Sequence, residues 1–301
     1  MTPHIISPAM EPTLYLSDLD GTLLGADSRM SEPSALMLRE AVAAGALFSI
    51  ATARTPATVE TLMARVTLRL PAIVMTGAAL WDQDTRSLSG RVPIPDATAA
   101  GLLEAYARHD MSLFIYVFVE DHIDIYHRGP LSDVERRFME ERSGSRYKRF
   151  LVPPSGFSEI PWPLHDVALL YSMQPDAKAA AVWRDIRGRD DCTPLYYHDI
   201  FGPDTAVMEV FARNATKADA ARRLRDACGA RRVVAFGDNV NDLPLLRAAD
   251  VAVAVGNAVP EVREAADIVI GPNTSDSVAR FILRDYQSGG ALRASLLSRK
   301  P

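Results

Sequence analysis

A chain of 301 residues is long for one compact core and comfortable for two. Hydrophobic residues at 48% and charged residues at 24% are those of a water-soluble globular protein, and a net charge of -5 leaves no basic excess to attract nucleic acid or an anionic membrane. Two cysteines, Cys192 and Cys228, with no CxxC pair exclude a disulfide scaffold and read as reduced thiols; with no run near the ~18 apolar residues of a membrane span, a cytoplasmic location is expected.

The first third alternates short apolar runs with helix-like stretches. Leu14–Ser17 reads as a buried strand ending at Asp18. Ser31 caps a helix with Pro33 in its first turn, and Gly45 ends it. Strands at 47–51 and 72–75 flank a helix from Pro56. The last third repeats the style, with strands at 233–236, 251–255 and 268–270 among helices at 216–228, 241–249, 258–266 and 274–286. Strand–helix alternation of this kind predicts a doubly wound parallel sheet. The middle differs. Longer strands at 112–119, 122–127 and 166–173 alternate with helices at 96–109, 131–142 and 176–187. The short Glu120-Asp121 link predicts a hairpin, hence an antiparallel α+β unit. The expected fold is therefore an α/β, Rossmann-like core formed by 1–83 and 194–301, interrupted by an inserted α+β domain over 84–193.

Four groups of residues carry chemistry. Asp18-Leu19-Asp20-Gly21-Thr22 follows the first strand, and two acids at i and i+2 suit a hard cation or an acid–base pair. Thr52-Ala53-Arg54 follows the second strand, where a hydroxyl and free N–H groups make either a phosphate cradle or an ordinary helix cap. Lys217 opens a helix, as a point charge for phosphate or as a solvated side chain. Gly237-Asp238-Asn239-Val240-Asn241-Asp242 follows a later strand, with Asp238 at the strand end and Asp242 able to cap or to reach back. In open α/β sheets ligands bind outside the carboxyl ends of strands. Three acids, a hydroxyl and a lysine gathered there match magnesium plus a phosphate dianion. None of the six histidines has zinc-ligand spacing. Tyr116, Tyr126, His127, Arg128, Trp162, Tyr196 and His198 lie in or near the insert, as a sugar- or base-binding face or as packing.

The order DLDGT, T-x-R, K, GDNVND, with an insert between the second and third, resembles the haloacid dehalogenase superfamily. The insert position, Asp250–Ala258 and Asn273–Val278 resemble its Cof-type, sugar-phosphatase-like branch with a large α/β cap (type IIB). That branch usually has Gly where Ala53 stands and Asn where Thr76 stands; Ala53 keeps its N–H, whereas Thr76 offers no amide donor. The resemblance implies a Mg2+-dependent phosphatase acting on a small phosphorylated molecule through an aspartyl-phosphate. Asp18 would be the nucleophile and a metal ligand. Asp20 would be the acid–base and a metal ligand through its carbonyl. Thr52, Ala53 N–H and Lys217 would hold the phosphoryl, and Arg54 would touch substrate. Asp238 would bind the metal, with Asn241 and Asp242 behind it. A phosphotransferase or phosphomutase on the same scaffold, and a non-catalytic regulatory protein of the same fold, are the alternatives; a phospho-accepting signalling domain should lack Asp20 and so large an insert.

Overall fold

The computed structural model describes residues 11–198 and 204–290. The chain divides into two compact units, one of Met1–Gly77, Trp81–Thr85 and Lys217–Pro301, the other of Ala78–Leu80 and Arg86–Thr216.

In the first unit, β1 (Thr13–Ser17) is an apolar run buried along nearly its whole length, which is how a central parallel strand reads. Helix α1 (Glu32–Ala43) starts at Ser31, whose hydroxyl accepts from Ser34 N–H at 3.0 Å, and stops at Gly45, which takes φ +109°. Strand β2 (Leu47–Ile50), helix α2 (Pro56–Leu62) and strand β3 (Ala72–Val74) follow. Strands β4 (Ala79–Trp81) and β5 (Leu88–Ser89) lie where the chain passes from one unit to the other.

The second unit contains α3 (Asp96–Arg108), β6 (Leu113–Val119), β7 (His122–Arg128), α4 (Asp133–Arg142), β8 (Lys148–Phe150), β9 (Val167–Pro175), α5 (Asp176–Ile186), β10 (Cys192–His198) and β11 (Thr205–Ala212). Its sheet runs β10-β11-β9-β6-β7-β8, antiparallel except for β7 with β8. Glu120, at φ +43°, turns the expected hairpin between β6 and β7. The sequence predicts that the chain returns to the core at 194. The structure instead keeps β10 and β11 in the inserted unit, because β11 pairs antiparallel with both β9 and β10.

The first unit resumes with α6 (Lys217–Cys228), β12 (Arg232–Gly237), α7 (Leu243–Ala248), β13 (Val251–Ala254), α8 (Pro260–Ala265), β14 (Ile268–Val269) and α9 (Ser277–Gln287). Helices α7 and α8 start later than expected because Pro244 and Pro260, lacking N–H groups, occupy their first turns. The parallel sheet has the order β14-β13-β12-β1-β2, with β3 beside β2 through the Ala51–Ile73 bridge. Chain order runs outward from β1 in one direction through β2 and β3 and in the other through β12, β13 and β14. The order therefore reverses between β1 and β12, and the carboxyl ends of these two strands flank the crevice where such sheets bind ligands. Among the described residues, no helix is long and apolar enough to cross a membrane.

Candidate active site

Each strand end around that crevice delivers one element of the site. Asp18 follows β1 and is fixed by its N–H, which donates to Phe236 O of β12 at 3.0 Å. The chain then turns sharply through Leu19–Leu23, with Gly21 at φ +73°. A Cβ at Gly21 would collide with the Asp238 carboxylate, so only glycine permits the turn this close to β12. Asp238 follows β12 and accepts from Thr22 Oγ1 at 2.8 Å, a contact that ties the two strand ends together.

Lys217 is buried at the first position of α6. Its ammonium donates to Asp18 Oδ1 at 2.6 Å and to Asp242 Oδ1 at 2.7 Å. Asp242 is saturated on its other side, where Oδ2 accepts from the N–H groups of Asp238 at 3.0 Å and Asn239 at 3.2 Å. A Cβ at Gly237 would fall 2.6 Å from Asp242 Cβ, so a bare α-carbon is needed there for Asp242 to reach back.

The electrostatics follow from this burial. Burial pushes the Asp18 carboxyl up to about 7, against the pull of Lys217. Burial alone would lower Lys217, and the facing Asp18 and Asp242 carboxylates outweigh it and hold the ammonium above its ordinary value. Asp238 is also raised, chiefly by burial.

Asp20 points elsewhere. Arg54 holds it with both prongs of its guanidinium, Nε to Oδ2 at 2.6 Å and Nη2 to Oδ1 at 2.7 Å. The pair is well exposed and adds little stability, but in this conformation it occupies both Asp20 oxygens. Thr52 lies buried beyond β2, its hydroxyl accepting from Arg54 N–H at 3.1 Å and its own N–H donating to Ile73 O at 2.9 Å. That leaves the Thr52 hydroxyl proton and the Ala53 N–H without an acceptor among the described residues, hence available to an anion. Thr76 sits at φ +58° with Met75 at +50°, and their N–H groups donate to Thr52 O and Arg54 O, bracing the loop.

Asp18, Asp20, Thr52, Ala53, Asp238 and Asn241 share one cleft of about 130 Å³. Three residues to which the sequence assigns no site role also shape it. Asn239 lines the cleft, Asn257 Nδ2 donates to Gly21 O at 2.8 Å, and Asn273 Nδ2 donates to Leu24 O at 2.7 Å. Asn239 belongs to the GDNVND group, whereas spacing alone assigns Asn257 and Asn273 no role, since they act on backbone more than 200 residues away.

The donor chemistry fits a hard divalent cation. Carboxylate oxygens of Asp18, Asp238 and Asp242 lie within 4.8 Å of one another. Three carboxylates face one ammonium, so negative charge remains uncompensated. Asp242 is committed to Lys217 and two N–H groups, whereas Asp18 Oδ2 and Asp238 Oδ2 keep free lone pairs among the described residues. The bare α-carbon of Gly21 leaves room beside Asp238 Oδ2.

An open parallel sheet with an acid-lined crevice at its switch point and an inserted α+β unit defines a haloacid dehalogenase type of hydrolase. The family model for haloacid dehalogenase-like hydrolases matches residues 15–282, and the chain belongs to that family as an enzyme of its phosphatase type. The chain is 30% identical to pyridoxal phosphate phosphatase YbhA of Escherichia coli (strain K12) over 88% of its own length and 95% of the relative's. In fold it is similar to a haloacid dehalogenase-like hydrolase of Bacteroides thetaiotaomicron, at TM-score 0.70 and 21% identity over 90% of this chain and 98% of that one. It is likewise similar in fold to the subclass IIB sugar phosphatase BT4131, at TM-score 0.64 and 21% identity over 90% and 98% of the two chains.

Proposed function

We propose that the protein hydrolyses a small phosphomonoester with Mg2+, through a phosphoryl group carried on Asp18. The observation that carries this reading is Asp18 itself: a buried carboxylate at the end of the central strand, with one oxygen fixed by Lys217 and the other open to the cleft.

In this reading Asp18 Oδ2 attacks phosphorus, the ester oxygen leaves, and water then cleaves the acyl phosphate. Splitting the reaction replaces one hard displacement with two easier ones. Lys217, fixed by Asp242, supports the developing charge on the phosphoryl oxygens, and the Thr52 hydroxyl and Ala53 N–H hold the others. Asp20 protonates the leaving oxygen and afterwards takes a proton from water, which requires Arg54 to release at least one of its oxygens. Asp18 and Asp238 carboxylates, with the Asp20 carbonyl, would hold the cation, and Asn241 would support its waters. Mg2+ supplies charge compensation that lets a dianion approach a crowd of carboxylates. We further read the inserted unit as a cap that selects the leaving group. The substrate class is a phosphorylated metabolite, with pyridoxal phosphate and sugar phosphates first to be tried because a relative is named a pyridoxal phosphate phosphatase and a fold neighbour a sugar phosphatase.

The test is a panel of phosphate esters with Mg2+, scored for free phosphate and for phosphorylated products. Release of phosphate that vanishes in chelator and returns with Mg2+ supports the reading. Full turnover in excess chelator contradicts the metal assignment, and transfer to a second substrate in place of phosphate release contradicts hydrolysis.

A further inference from the structure

The inserted unit carries positive charge that the phosphatase chemistry does not use. After α4 the chain bends through Ser143-Gly144-Ser145, with Gly144 at φ +88°, and returns along the edge strand β8. Bend, edge strand and His122 of β7 wall a concavity of about 660 Å³, within the ~300–1,000 Å³ range of small-molecule sites. Arg146, Lys148 and Arg149 line it, and no Asp or Glu does, in a chain whose net charge is -5.

The neighbouring acids are already engaged. Asp124 grips Arg149 through both oxygens, with Nε at 2.8 Å and Nη2 at 2.7 Å. Its Oδ1 also lies 3.2 Å from His122 Nε2, but the geometry is not that of a hydrogen bond, and this buried nitrogen has no hydrogen-bond partner. Glu141 holds Arg142. No carboxylate pairs with Lys148 among the described residues. Burial, aided by the charge of Arg142, pulls its ammonium down to about 8. A half-buried ammonium beside arginines is costly unless an anion shares its cavity. The Arg146 guanidinium rests over the Tyr147 ring at 5.4 Å, and Phe150 supplies an apolar wall.

We propose that this cavity is an anion-binding site of the inserted unit for a small molecule with adjacent phosphate groups, a diphosphate or triphosphate, held by Arg146, Lys148 and the free edge of Arg149. Arg146 offers a planar fork to two phosphate oxygens and Lys148 a point charge to a third. A single phosphate would fill only a fraction of the space. Phe150 would face whatever organic group the phosphates carry. The site is built wholly from the inserted unit, so it stands whether or not the core chemistry is as proposed above.

The probe is methylenediphosphonate, whose P–C–P bridge is not a hydrolysable ester, titrated calorimetrically into the full chain in EDTA. One binding event is expected, weakened at least ~10-fold by Lys148→Gln and by Arg146→Gln, since each removes a charge-assisted contact. Lys148→Arg should keep the affinity, Asp18→Asn should leave it unchanged, and inorganic phosphate should bind more weakly. Urea unfolding midpoints confirm that each variant is folded, and the exposed Arg146 variant serves if Lys148→Gln is not. Absence of binding at millimolar probe, or equal binding by the wild type and the Arg146 and Lys148 variants, overturns the site. Loss in Asp18→Asn with retention in Lys148→Gln places the probe in the core and also overturns it. Equal affinity for inorganic phosphate overturns the ligand class.

Discussion

The chemistry rests on an arrangement that is bad for stability. Asp18 ionises near 3.8 when unfolded and is pushed up to about 7 in the folded chain, first by burial. The folded state therefore holds this proton over a range in which the unfolded state has lost it. Stability contributed by the group falls as pH climbs from about 4 through about 7, the opposite of an ordinary paired carboxylate. Replacing Asp18 by Asn removes the disfavoured charge while Lys217 keeps Asp242. In chelator at pH 8, Asp18→Asn should unfold at no lower a temperature than the wild type, and Mg2+ should raise the midpoint of the wild type far more than that of the variant. A lower midpoint for Asp18→Asn in chelator would show that the Lys217 contact outweighs burial. Gly21→Ala tests the strand-end turn. Its left-handed φ costs an L-residue about 1–2 kcal/mol, and the new methyl displaces Asp238, so a weaker response to Mg2+ should accompany the loss of stability. At this scale the sequence was most legible: the DLDGT and GDNVND groups sit where their strand ends suggested. Thr22, Asn257 and Asn273 were not legible as site residues, because their partners are set by the fold and not by spacing.

Elements show where sequence reading reaches its limit. The run TAVMEVFA reads as a buried strand from its apolar content, but nothing in it states which sheet it joins. Its partners β9 and β10 lie in the insert, so the boundary expected at 194 moves to the start of α6. Lys217 illustrates the same limit. Alone at a helix start it looks solvated, and only the convergence of β1 and the loop after β12 makes it a buried bridge. Helix α4 anchors the insert in a way sequence did not announce. Glu135 completes a capping box with Ser132, and its Oε1 also faces His127 Nε2 at 3.2 Å and accepts from Gln174 Nε2 at 2.8 Å, with Glu135, His127 and Gln174 all buried. His127, which the sequence leaves open between a ligand-binding face and packing, is therefore a core residue whose Nδ1 also meets Gly156 O at 2.8 Å. Burial works to raise Glu135, and the His127 and Ser132 contacts outweigh it and hold the carboxyl below its usual 4.5. Its contribution is present above pH ~4.5 and lost as pH falls below that value. Glu135→Ala, which strands buried donors, should cost about 3–5 kcal/mol in urea unfolding at pH 7. A cost under about 1 kcal/mol, the worth of an exposed pair, would contradict the network.

Across the whole molecule, every residue assigned to the transferred phosphoryl belongs to the first unit, while the inserted unit has its own sheet, helices and core. The phosphoryl is common to all substrates, so residues that distinguish them should lie elsewhere. Within the insert, Trp162 is 71% exposed and Arg128 is exposed, which makes both available for contacts the fold does not use. Trp162→Ala and Arg128→Ala should change kcat/KM unequally across a panel of esters, with some loss of kcat permitted where remote binding assists the reaction. Uniform scaling of every substrate would show that these residues do not read the leaving group. The central claim is that Asp18 carries the phosphoryl group. It is tested most directly by acid-quenching the enzyme during turnover with Mg2+ and locating the phosphoryl adduct by peptide mass spectrometry. The expected result is an adduct on the peptide containing Asp18, absent in Asp18→Asn, whose turnover falls at least ~10³-fold because the remaining groups only position and polarise. Turnover that persists in Asp18→Asn, or an adduct that maps to another residue, contradicts the account.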